Sequence, residues 1–352
     1  MKKKSICLLP KAASLGGPRT FQQNLIAWAE HSSEVEINFD ANREDIDAFL
    51  VIGGPKKYLK RLLEARRKGI PVVHRLNGMN WIHRQRPESL KYSLHSEAAN
   101  LAIAFYRRFV CSKIVYQSPF CEERWNRVYG RLSKPSTVIF NGTDVQRFCP
   151  GETAPDLTDR IDFILAEGSF RYGMDFGLDA AAELTIGLSE RFPQPVCMHV
   201  AGKTDPSAEA RIRQRLKESG RPVSVVFEGI LPREQLISLE RNAAFFFSSE
   251  INAACPNAVI EAMACGTPVT GFDTGALKDV TGDAGIIVPY GADPWKLEMP
   301  HTAPLIDAAD KLIRENANFR RTARSRAESV FPVEKMAEAY VEFCLNQDKE
   351  IP

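Results

Sequence analysis

The residues best suited to chemistry lie in one short stretch, 245–271, FFFSSEINAACPNAVIEAMACGTPVTG. Phe245, Phe246 and Phe247 form an apolar run of the kind that becomes a buried strand. Polar residues follow, then Cys255, Pro256 and Asn257. A helix is expected from Ala258 with Glu261 in its first turns, and Gly266-Thr267-Pro268 stops it before a second apolar run at Val269. Such a strand–loop–helix–strand unit presents unpaired backbone N–H groups and the positive end of the helix dipole, which attract an anion. A carboxylate at the same place accepts hydrogen bonds from sugar hydroxyls. A ligand that joins phosphate to a hydroxylated sugar needs both features.

Other candidates sit where strands are expected to end. Gly16 and Gly17 follow the first apolar run and precede a helix, so the pair is either a plain turn or a backbone approach to phosphate. His74, Arg75 and Asn77 close the third clear strand, and ligands of open α/β sheets bind beyond the carboxyl ends of strands. His74 reads equally as a satisfied strand-end histidine, and Arg75 as a salt-bridged scaffold residue. Asn141-Gly142 is a turn pair that ends another strand. Arg171 and Lys203 are cations in loops of the second half, Lys203 equally a solvated loop residue.

The elements that must position these groups alternate along the chain. Strands are expected at Ser5–Leu9, Ala48–Ile52, Pro71–His74, Lys113–Tyr116 and Ser136–Phe140, with a marginal one at Glu34–Asn38. Helices are expected near Thr20–Glu30, Lys56–Lys68, Leu90–Phe109 and Pro119–Tyr129. Residues 147–161, with two prolines, a glycine and several acids, read as a boundary. The alternation then restarts at Asp162–Ala166 and runs to Pro268–Phe272, and an amphipathic tail covers Pro332–Asn346. Strand–helix alternation on this scale implies parallel sheets with helices on both faces.

The chain has 352 residues, enough for two domains. Its formal charge of +2 argues against a dedicated nucleic-acid binder, and no apolar stretch approaches the ~20 residues that span a bilayer. Met1-Lys2-Lys3-Lys4 leads into a first strand that Pro10 ends, not into a signal peptide. The eight cysteines show no C-x-x-C and no zinc spacing, which suits free thiols in a cytoplasm.

The string Glu261-Ala262-Met263-Ala264-Cys265-Gly266-Thr267-Pro268-Val269 resembles the donor-binding signature of retaining glycosyltransferases of family 4, which have the GT-B fold. Asn141-Gly142-Thr143-Asp144, with Phe148 and Pro150, resembles the family's N-G-V-D segment. The family places a second Glu eight residues before the first; here Ala253 stands there, and Glu250 is the nearest carboxylate. A usual Lys-Gly is replaced by Tyr172-Gly173.

The resemblance implies two Rossmann-like domains facing across a cleft, 1–152 for the acceptor and 153–331 for the donor, with the helix of 332–352 crossing back to the first domain. It implies transfer of a sugar from a nucleotide-sugar to an acceptor hydroxyl with retention, in polysaccharide or glycolipid synthesis. Glu261, Asn257, Gly16 and Gly17 would bind the donor, with Glu261 on the ribose. Arg171, and Lys203 as a second cation, would hold the diphosphate in place of a metal. Glu250 would reach the sugar and Asn77 the reacting centre, so that Arg171, Asn77 and Glu250 form the catalytic set. His74, Arg75 and Asn141, with Asn77, would line the acceptor side. No cofactor or metal is expected. The partners implied are a nucleotide-sugar and a saccharide or lipid-linked saccharide, at the inner membrane face or in the cytoplasm. Arg61, Arg66, Arg67 and Lys68 offer a membrane contact, or simply a solvated face. A non-catalytic relative that binds nucleotide or glycan, and a nucleotide-sugar epimerase of the same fold, remain open alternatives.

Overall fold

The computed structural model describes residues 2–12, 16–87, 89–170 and 175–346. The chain forms two compact units: one takes in the chain up to Gly142 and again from Phe331, the other is Thr143–Val330. The division falls ten residues before the boundary expected at 152, because Thr143–Pro150 packs with the second unit. There Arg324 Nη1 donates to the carbonyls of Val145 and Phe148, each at 2.9 Å.

In the first unit β1 (Lys4–Leu9), α1 (Gly17–Glu30), β2 (Val35–Asn38), β3 (Ala48–Ile52), α2 (Leu59–Arg67), β4 (Val72–Leu76), α3 (Leu90–Phe105), β5 (Lys113–Tyr116), α4 (Pro119–Tyr129) and β6 (Ser136–Val138) follow in order. All sheet pairings are parallel, in the order β2-β1-β3-β4-β5-β6. Strand β3, AFLVI, is apolar throughout and wholly buried, as suits a strand covered on both faces. Ile6, Leu8, Leu50 and Val73 pack on one face with Phe21 and Leu25, while Cys7, Leu9, Phe49 and Val51 pack on the other with Leu62 and Ala65. The marginal strand is real: Val35–Asn38 pairs with β1, and Val35 enters the core.

The second unit repeats the plan with β7 (Ile161–Phe170), α5 (Phe176–Ser189), β8 (Val196–Thr204), α6 (Pro206–Glu218), β9 (Val223–Gly229), α7 (Arg233–Asn242), β10 (Phe246–Ser248), α8 (Asn257–Ala264), β11 (Val269–Phe272), α9 (Leu277–Thr281), β12 (Gly285–Val288), α10 (Ala303–Arg314) and α11 (Asn316–Val330). Its parallel order is β12-β11-β10-β7-β8-β9. The last helix, α12 (Val333–Leu345), belongs to the first unit, where Met336, Ala337, Tyr340, Phe343 and Cys344 complete the α1 side of the core. All eight cysteines are free. Among the described residues no helix is long and apolar enough to cross a membrane.

Candidate functional site

In the second unit the chain leaves β7 toward β8 on one side and returns to β10 on the other. That reversal marks the carboxyl ends of β7 and β10 as the place where open α/β sheets bind ligands. Glu167 lies near the end of β7, and Ser249 and Glu250 directly follow β10. Ser249 Oγ donates to Glu167 Oε1 at 2.5 Å. Burial, and for Glu167 the Glu250 charge beside it, push both carboxyl groups above the ordinary carboxylate range. The pair therefore holds a proton near neutral pH.

Close packing fixes this corner. Gly177, in the first turn of α5, sits so near the loop after β10 that a Cβ there would stand 2.4 Å from Ser249 Cβ. Gly202 has φ 147°, and a Cβ on it would stand 2.1 Å from the Glu167 carbonyl oxygen. The loop carrying Glu250 is itself pinned: Asn252 N–H donates to the Thr274 carbonyl and Ala276 N–H to that of Ala253, each at 2.9 Å. Ala253 is buried there, so the family's second glutamate position faces protein.

Glu261 lies one turn into α8 and is buried. Arg233, in the first turn of α7, donates from Nη1 to Glu261 Oε1 at 2.8 Å. Burial raises the Glu261 pKa, and the guanidinium works against that rise. Behind it Glu240 is fully buried, with Oε2 accepting from Cys265 Sγ at 3.5 Å and Oε1 without a partner. Burial and the Glu261 charge hold Glu240 in its neutral form. The carboxylate expected from the sequence is thus backed by a second, uncharged one.

The remaining donor candidates divide. Asn257 opens α8, half-buried. Lys203 is exposed near the end of β8, beside Ser169 of β7, and has no ion-pair partner among the described residues. Arg171 and Tyr172 lie outside the described residues. Gly16 caps α1 with φ 127°, a conformation that favours glycine, and Gly17 begins the helix.

Among the residues named for the acceptor the structure corrects two expectations. The strand taken to end at His74 runs on to Leu76, so His74 is mid-strand and fully buried. Its Nε2 meets the Gly53 carbonyl at 2.8 Å, and burial lowers its pKa to about 4, so the ring is neutral. Arg75 is also fully buried, and it has no carboxylate partner among the described residues. It donates to Asn77 Oδ1 at 2.5 Å, Gln117 Oε1 at 3.0 Å and Asn141 Oδ1 at 2.8 Å, with its guanidinium 4.1 Å from the Phe21 ring centre. These side chains tie the ends of β4, β5 and β6 together. Neither His74 nor Arg75 is exposed to a ligand; Asn77, half-buried, is the member that reaches the surface.

Three functional candidates escaped the sequence reading. Glu167 and Ser249 carried no spacing signal, since their meeting depends on which strands neighbour each other. Arg233 is separated from Glu261 by 28 residues; a cation opening the helix before the glutamate's own was the one available cue. A further cluster lies on β7, β8 and β9, where His199 Nδ1 meets Glu228 at 2.8 Å and Nε2 faces Asp162 at 3.5 Å. Cys197 adds a third potential metal ligand there. Arg160 already holds Asp162 at 2.7 Å, and carboxylates on both sides overcome burial to keep His199 charged, so the group is an ion-pair network.

Residues 162–298 match the family model described as glycosyl transferases group 1. The match lies wholly within the second unit. Glu167, Glu250, Arg233 and Glu261 all fall inside the matched residues. The chain is 26% identical over 226 residues to the lipopolysaccharide core biosynthesis mannosyltransferase LpsB of Rhizobium meliloti, covering 60% of this chain and 61% of that protein. It is 29% identical over 114 residues to the 2-deoxystreptamine N-acetyl-D-glucosaminyltransferase of Streptomyces fradiae, covering 32% of this chain and 25% of that one. The chain therefore spans less than two thirds of the length of these curated relatives. Among solved structures it is similar to HepE of Anabaena in complex with UDP and glucose, at a TM-score of 0.62 and 15% identity over 97% of this chain and 99% of that one. Two Rossmann-like units, each with a six-stranded parallel sheet, make the fold GT-B.

Proposed function

We propose that the protein is a glycosyltransferase that moves a sugar from a nucleotide-sugar to an acceptor hydroxyl, with retention and without a metal ion. The observation that carries the reading is the buried Glu261 carboxylate, held by Arg233 one turn into α8 inside the matched segment. Glu261 would accept hydrogen bonds from the nucleotide ribose while the N–H groups that open α8 face phosphate. Arg171 and Lys203 would supply the positive charge that stabilises the departing diphosphate, the kind of term that is usually largest in catalysis.

Glu250 and Glu167 would contact the donor sugar. A carboxyl group that keeps its proton donates to a sugar oxygen, and its ionised neighbour accepts from a hydroxyl. Asn77 would hydrogen-bond the acceptor, held in place by Arg75, and Asn141 would shape that site through the same arginine. The names of the two relatives, which transfer mannose and N-acetylglucosamine, support a hexose-type donor and an acceptor in glycolipid or glycan synthesis.

The paired carboxyl groups support a second reading, epimerisation of a nucleotide-sugar, which needs an acid and a base at one sugar carbon. Both readings are tested by incubating the protein with UDP-, GDP- and ADP-sugars in deuterated water, with and without a saccharide acceptor. The transferase reading expects nucleotide release that an acceptor accelerates, and an α-linked product from an α-linked donor. Deuterium entering the recovered donor sugar would overturn it in favour of the epimerase.

A further inference from the structure

Helix α3 is built inside out. Among the described residues ten large hydrophobic side chains are exposed, and six of them lie between Leu90 and Phe109. Leu90, Leu94, Leu101 and Phe105 are 77%, 63%, 62% and 43% exposed. With Ala98 they occupy positions i, i+4, i+8, i+11 and i+15, which fall within about 80° of arc at 100° per residue. The face turned inward carries Ser96 and Asn100 instead. Asn100 binds the Asn80 backbone through both ends of its amide, at 2.9 and 3.0 Å. Phe109, 54% exposed, prolongs the stripe through the π turn Tyr106–Val110. A helix that buries its amides and shows its leucines is arranged for something outside the fold.

The surrounding charge says what that is. Residues 56–110 contain thirteen Lys or Arg and three Asp or Glu, while the whole chain has 46 against 44. This stretch is strongly positive, and the rest of the chain is net negative. Glu97, the described acid on α3, is already paired with Arg84 at 2.6 Å. The basic helix α2 adjoins the end of the stripe, where Arg66 Nη1 donates to the Phe109 carbonyl at 2.5 Å. Exposed Lys91 on α3 and exposed Arg108 in the π turn flank it, and Lys57, Lys60, Arg67 and Lys68 extend the positive field. Two copies meeting on this face would bring like charges together, which disfavours a dimer. An apolar stripe rimmed by cations is the form of a helix lying in the interface of an anionic bilayer.

We propose that α3 and its π turn seat this unit on an anionic lipid surface, with Leu90, Leu94, Leu101, Phe105 and Phe109 entering the acyl boundary and the flanking Lys and Arg side chains contacting headgroups. The inference is independent of the donor chemistry, and its readout is binding. Full-length protein is sedimented with vesicles of phosphatidylcholine alone and with added phosphatidylglycerol, beside the double variant Leu94→Gln/Leu101→Gln. Both substitutions are at exposed positions and leave the charge unchanged. The expected result is binding to the anionic vesicles only, weakened at least tenfold in the variant at an unchanged unfolding temperature. Sizing chromatography should give a monomer for both proteins. Absence of binding to anionic vesicles, equal binding to neutral ones, full binding by the variant, or a dimer that the variant dissolves would each overturn the proposal.

Discussion

Arg233 and Glu261 form a partly buried ion pair at 2.8 Å between the opening turns of two successive helices, with the neutral Glu240 behind. The pair sets both the charge and the direction of the carboxylate. Removing the carboxylate takes away a ribose acceptor, a loss of about 1–3 kcal/mol. Glu261→Ala should therefore weaken nucleotide binding by about fivefold to a hundredfold, read by calorimetry, with cooperative unfolding retained. Arg233→Ala should also weaken it, since the carboxylate is no longer oriented. Unchanged affinity in a folded Glu261→Ala protein would remove that residue from the site.

The raised pKa values of Glu167 and Glu250 predict a pH dependence. Their folded pKa values stand above the unfolded value of 4.5, so the stability they contribute is fully present below pH 4.5 and is lost as pH rises through about 7 to 8. Glu250→Gln removes one ionisation and its repulsion. Its unfolding temperature should fall less than that of the wild type between pH 5 and about 9. Parallel curves for the two proteins would show that the folded protein does not raise the Glu250 pKa.

Gly202 tests the close packing of the same corner. A methyl group there meets the Glu167 carbonyl, and the φ of 147° is strained for any other residue. Gly202→Ala should displace the end of β7, lower stability by about 1–3 kcal/mol and reduce turnover. Denaturant unfolding together with a steady-state assay would check both effects, and a wild-type midpoint would contradict the geometry.

Arg75 is expected to matter for folding. Replacing it with Met leaves the oxygens of Asn77, Gln117 and Asn141 without their shared donor. A loss of about 3 kcal/mol or more is expected in urea unfolding. A ligand-contacting arginine would instead change affinity and leave stability intact.

The strand–helix alternation and the Glu261 helix were legible because each rests on local signals: apolar runs of strand length, a Gly-Thr-Pro stop, a carboxylate in an opening turn. Even Val35–Asn38 was visible from Val35 and Ile37. What escaped was set by neighbours in space. Two extra residues of β4 turned His74 from a strand end into core. Glu167 meets Ser249 because β10 returns beside β7, an adjacency that no window of sequence contains. The exposed stripe on α3 was hidden for the opposite reason. A leucine-rich helix reads as core until its buried face is seen to be Ser96 and Asn100.

The most direct test of the account is calorimetric titration of the wild type and Glu261→Ala with UDP, GDP and ADP in the presence of a chelator. Micromolar binding of one nucleotide by the wild type, weakened in the variant, is the predicted result. Binding of none, or binding only after a divalent metal is restored, would contradict a metal-independent nucleotide-sugar site built on Glu261.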